Sequence, residues 1–88
     1  MIEREVKVVN SLGLHARPAA QLVKLASTFA SEVELVKDGT PVNGKSIMGV
    51  MVLAAECGSS IVVRADGADA DAALAALVEL ITSGFGES

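Results

Sequence analysis

The stretch Gly13-Leu14-His15-Ala16-Arg17-Pro18-Ala19-Ala20 decides how the chain is read. Upstream, Ile2 to Val9 alternates, with Ile2, Arg4, Val6 and Val8 on one face and Glu3, Glu5, Lys7 and Val9 on the other. That is the period of a half-buried strand. Asn10, Ser11 and Gly13 break the pattern, as loop residues do. Downstream, Ala19, Leu22, Val23 and Ala26 recur at helical spacing, with Leu25 and Phe29 at the margin and Gln21 and Lys24 outside. A helix is expected from about Ala16 to Thr28. Pro18 fits its first turn, where a missing N–H costs nothing. His15, the single histidine, therefore stands at or beside the N-cap. Free amides and the positive end of the helix dipole meet there, which suits an anion such as phosphate. Arg17 adds a fork of donors matched to phosphate oxygens. An imidazole nucleophile, a phosphate cradle at the Ala16 and Arg17 amides, and an arginine point to a phosphohistidine. The competing reading is a solvated loop histidine followed by an exposed arginine. Yet a cation at a helix start is unfavourable unless an anion visits.

The remaining elements follow by the same means. Glu32 to Lys37 reads as a strand with Val33 and Leu35 on one face. Asp38-Gly39 is a hairpin turn, and Thr40 to Asn43 returns as an edge strand because Pro41 cannot donate to a ladder. Ser46 caps a short helix from Ile47 to about Leu53. Ser60 to Ala65 is a strand with Ile61, Val63 and Ala65 inward. Asp69 is expected to cap a last helix from about Ala70 to Thr82, with Ala70, Ala73, Leu74, Leu77, Val78 and Ile81 as its apolar stripe. Gly84 then stops it. The order β-α-β-β-α-β-α gives an α/β (α+β) two-layer sandwich, with residues 1–88 expected to form a single domain.

Composition narrows the function classes. With 51% hydrophobic residues the chain should fold, and with only two aromatics its core must be aliphatic. A net charge of −4 argues against a nucleic-acid surface. The lone cysteine, Cys57, allows no internal disulfide and reads as a small loop or core residue. A small fold without disulfides fits a reducing cytoplasm. The charged start Met1-Ile2-Glu3-Arg4-Glu5 has no apolar region of a signal peptide, and no run is long enough to span a membrane. Residues 39–46 satisfy the pattern G-x-x-x-x-G-K-[ST], which in a nucleotide-binding domain cradles phosphates. That motif needs a buried parallel strand before it and a full helix after it. Here the strand alternates, Gly39 belongs to a hairpin, Pro41 lacks an N–H and the helix is short. The pattern is a decoy.

GLHARPAA resembles the active-site signature of the HPr family, the histidine-containing phosphocarriers of the bacterial phosphoenolpyruvate-dependent phosphotransferase system. Gly44-Lys45-Ser46-Ile47-Met48-Gly49-Val50-Met51 resembles the family's regulatory serine region, and the resemblance extends through Ser83-Gly84-Phe85-Gly86-Glu87. It implies an open-faced sandwich, a four-stranded antiparallel sheet in order 1-4-2-3 with three helices on one face. It implies a phosphoryl carrier, not a free-standing turnover enzyme: His15 takes the group on Nδ1 from phosphorylated Enzyme I and gives it to an enzyme IIA. It also implies phosphorylation of Ser46 by an HPr kinase, and a docking patch of Ala20, Ile47, Met48 and Met51. Methionine adapts to more than one partner. Gln21, Lys24 and Lys45 would rim that patch. No cofactor or metal is expected, and the chain is expected to be monomeric. The presence of His15 argues against the catabolite-repression paralogue that lacks it. A nitrogen-regulatory paralogue and a non-catalytic adaptor of the same fold stay open as alternatives.

Overall fold

A computed structural model describes residues 1–53 and 55–87. The elements are β1 (Ile2–Lys7), α1 (Ala16–Ala26), β2 (Glu32–Lys37), β3 (Thr40–Asn43), α2 (Ile47–Leu53), β4 (Ser60–Asp66), α3 (Ala70–Thr82) and a short 3-10 turn (Gly84–Gly86). The sheet runs β1-β4-β2-β3 with every pair antiparallel, which is the order the resemblance implies. α3 lies across β1 and β4, α2 lies against β2 and β3, and α1 packs on both helices.

Alternation decides which side of each strand is buried. Val6, Val33, Leu35, Ile61, Val63 and Ala65 face the helices. All six residues of the expected α3 stripe are buried against them, together with Ala19, Leu22 and Ala26 of α1. The open face of the sheet is mostly polar, with Val36 and Val62 paired on it. There the Arg64 guanidinium bridges Glu3 and Glu34 at 3.0 Å each, which favours its charged form still further.

Some boundaries differ from the sequence reading. β1 ends at Lys7, not Val9, because Val8 leaves the ladder to bond the loop after α2: its amide donates to Ser59 and its carbonyl accepts from Gly58. Arg4, on the inward face by alternation, is exposed at the fraying end. α1 stops at Ala26, where the amides of Thr28 and Phe29 tighten to carbonyls three residues back. Val23, expected inside, is half-buried. β4 gains Asp66, paired with Glu32. The Asp38-Gly39 turn has both residues at positive φ, as the hairpin needs.

Asp69 requires a correction. It occupies the N-cap position of α3, but its carboxylate makes no cap bond. It accepts instead from the amides of Ala30 and Ser31, at 2.9 Å each, and from the Ser31 hydroxyl. The loop entering β2 offers three donors at once, more than a single first-turn amide. These bonds, with the Ser31 hydroxyl foremost, hold the Asp69 carboxyl below the usual range. The side chain therefore ties β2 to α3. Cys57 is exposed in a loop. Among the described residues, no helix is long and apolar enough to cross a membrane, and no group of three or more His, Cys, Asp and Glu is placed to hold a metal ion.

Candidate functional site

His15 is the N-cap of α1, with extended backbone and no side-chain cap bond. Its carbonyl accepts from the Ala19 amide, closing the first turn at 2.9 Å. Pro18 brings no N–H and is fully buried, so it anchors that turn to the core. The amides of Ala16 and Arg17 have no acceptor within the helix. They flank a ring whose side chain is 36% exposed, enough to meet a partner. Ala16 and Arg17 are both exposed, so the residues expected to receive phosphate oxygens stand together beside the imidazole.

The sequence reading did not assign Glu87 or Asn10 to this site. Glu87 Oε1 lies 3.0 Å from His15 Nε2 and accepts from Asn10 Nδ2 at 2.9 Å. Asn10 is 1% exposed and donates also to the Gly13 carbonyl at 2.7 Å. The contact with His15, then that with Asn10, holds the Glu87 carboxyl below the usual range; burial works against this and the Arg17 charge assists it. Phe85 brings Glu87 there. It is 4% exposed, and the backbone from Gly84 to Gly86 is left-handed throughout, turning the end of the chain back over the site. The one signal in the sequence was a large apolar residue between two glycines after the last helix.

α2 runs antiparallel to α1. At its start, the Lys45 ammonium donates to the Phe29 carbonyl just past the end of α1, at 2.8 Å. Beyond its end, the Ala55 carbonyl accepts from the Leu14 amide, next to His15, at 2.9 Å. Lys45 is thus half-buried at the opposite end of α1 from His15, at the start of α2 next to Ser46 and Ile47. Ser46 caps α2 as expected, its hydroxyl accepting from the Gly49 amide at 3.1 Å. Seven residues of helix put Ser46 on the order of 10 Å from the His15 end.

Ile47, Met48 and Met51 are exposed on α2, Met48 at 72%. Ala20 and Lys24 are exposed on α1, and Gln21 is half-buried. Val50 and Leu53 turn into the core. The sequence reading did not assign to this surface two exposed apolar residues toward the His15 end: Val52, a turn closer than Met48, and Leu12, in the loop before His15. In the decoy motif, Gly39 sits in the hairpin turn and the lysine is spent on Phe29.

A family model described as the PTS HPr component phosphorylation site matches residues 2–83, nearly the whole chain. The chain belongs to the HPr family. Its HPr relatives include the phosphocarrier protein HPr of Cupriavidus necator, 47% identical over 99% of this chain and 98% of that one. The phosphocarrier protein HPr of Xylella fastidiosa is 52% identical over the same shares. Among solved structures, HPr-C-His of Thermoanaerobacter tengcongensis superposes with a TM-score of 0.96 at 46% identity, covering 100% of this chain and 99% of that one. The match makes this chain an HPr-type phosphocarrier of the phosphotransferase system, and the open-faced sandwich is the HPr fold.

Proposed function

We propose that His15 accepts a phosphoryl group from phosphorylated Enzyme I and passes it to an enzyme IIA. The observation that carries this reading is the position of the chain's single histidine at the N-cap of α1, beside the first-turn amides of Ala16 and Arg17, which have no acceptor within the helix. Little covalent work falls to the protein in phosphoryl transfer; positioning and charge stabilisation do most of it. The first-turn amides and the Arg17 guanidinium would receive the oxygens. A half-exposed helix end holds the anion in transit without trapping it, as a carrier requires.

The apolar surface of α2, with Ala20 on α1, is the docking face in this reading. Ser46 is its regulatory site. A phosphate there keeps the capping oxygens and adds about −1.5 to −2 charge at a helix N-terminus, so the fold is retained. Its effect falls on docking, since Met48 is two residues away while His15 is more than a helix turn distant.

Incubation with phosphoenolpyruvate and Enzyme I, followed by intact mass, tests the reading. One phosphoryl increment is expected, stable in alkali and labile in acid as a phosphoramidate is, and absent in His15→Ala. Labelling that persists in His15→Ala would remove the assignment.

A further inference from the structure

We propose that Asn10 and Glu87 form a clamp on His15, which keeps the ring proton on Nε2 and the lone pair on Nδ1, and that Glu87 offsets the positive charge the ring acquires with a phosphoryl group. This rests on the phosphocarrier reading and names two positioning residues for it.

The clamp is built from the inside outward. The Asn10 amide donates in two directions, to the Gly13 carbonyl and to Glu87. Turning the amide over would set its oxygen against two acceptors, so both ends dictate its orientation. The orientation has a cost: buried Asn10 Oδ1 has no hydrogen-bond partner among the described residues. A buried polar atom left unpaired calls for a reason, and holding Glu87 is one. Asn10 also fixes the backbone two residues before His15, so one side chain positions both the ring and its carboxylate.

Glu87 receives donors from Asn10 and His15, and its carboxyl is held in the ionised form. An ionised carboxylate only accepts. Nε2 must then be the donor, and the neutral ring carries its lone pair on Nδ1. The ring makes no cap bond to the first turn of α1, so the amides there do not compete for that pair.

The transfer step balances without a proton moving. The Nδ1 lone pair forms the N–P bond. The bond from phosphorus to the donor's atom breaks, and its electron pair stays on the donor. Nε2 keeps its hydrogen and the ring becomes a cation, with Glu87 already against it. In onward transfer the N–P electrons return to Nδ1. Glu87 sits on the nitrogen that does not react, where it meets the ring charge with the ring between it and the incoming anion.

The experiment combines ¹⁵N spectra of the His15 ring with the rate of phosphoryl gain from phosphorylated Enzyme I. The wild-type ring should show its proton on Nε2, protected from exchange. In Glu87→Ala that protection is lost and phosphorylation slows by about tenfold, the scale of one charge-assisted hydrogen bond. Glu87 lies two positions beyond Phe85 and outside the hydrophobic core, so this variant leaves the core intact. Asn10→Ala should also slow the step, and the double variant should be no slower than the slower single one, because Asn10 acts through Glu87. A wild-type ring proton on Nδ1, or a Glu87→Ala protein phosphorylated at the wild-type rate, overturns the proposal while leaving the carrier reading intact. A wild-type protein that takes no phosphoryl group from Enzyme I overturns both.

Discussion

The Leu14 amide donates to the Ala55 carbonyl at 2.9 Å, joining the loop that presents His15 to the chain leaving α2. The start of α1 and the end of α2 are thereby held to each other by backbone. Gly13 makes the approach possible. Its φ is +65°, and a Cβ there would stand 2.3 Å from the Ala55 oxygen.

Gly13→Ala should therefore be destabilised by about 1–3 kcal/mol, since backbone on both sides must shift to admit the methyl. Urea denaturation reads this directly. An unchanged midpoint would mean that the loop is free to move away from Ala55.

Arg17→Ala should slow phosphoryl transfer and leave stability within about 0.5 kcal/mol, as expected of an exposed first-turn side chain. Its charge matters when phosphate is present. Transfer rates equal to wild type in both directions would make Arg17 a bystander.

Met48→Asp should weaken binding to Enzyme I with little change in melting temperature, because Met48 is 72% exposed on α2. The charge would have to be desolvated on docking. Titration calorimetry beside a thermal melt separates the two effects, and unchanged affinity would take Met48 out of the interface.

Ser46→Ala loses the cap bond to the Gly49 amide and should cost about 1 kcal/mol while transferring normally. Ser46→Asp should fold and accept phosphate at His15 much more slowly. A Ser46→Asp protein that matches wild type over a range of carrier concentrations would exclude regulation at this position.

Asp69 gives a pH dependence. Its carboxyl is held below the ordinary value of 3.8 by the Ser31 hydroxyl and the Ala30 and Ser31 amides. A carboxyl depressed in the folded state contributes stability that is fully present above its unfolded value and is lost as pH falls through the folded one. Stability should thus decline as pH falls below about 4. Asp69→Asn should be less stable at neutral pH and show a shallower decline there. Parallel acid profiles for the two proteins would show that the tie between β2 and α3 does not depend on ionisation.

The elements of this fold were legible because each announces itself within a few residues. Alternation set the inward faces of β2 and β4, and the 3.6-residue period picked out six α3 residues that are all buried. His15 at a helix start and Ser46 as a cap were likewise local, since a cap needs only the amides of its own first turn. Polar side chains without a period were a different matter. Asp69 looked like a cap by position, but the passing β2 loop supplied more donors than its own helix. Glu87 reaches His15 across 72 positions, and no local pattern encodes that contact. It arises because Phe85 is buried and the chain turns back over the site. Asn10 looked like loop punctuation, and only packing made it a buried donor. Periodicity decided what each segment is; which carboxylate meets which donor was settled when the segments came together.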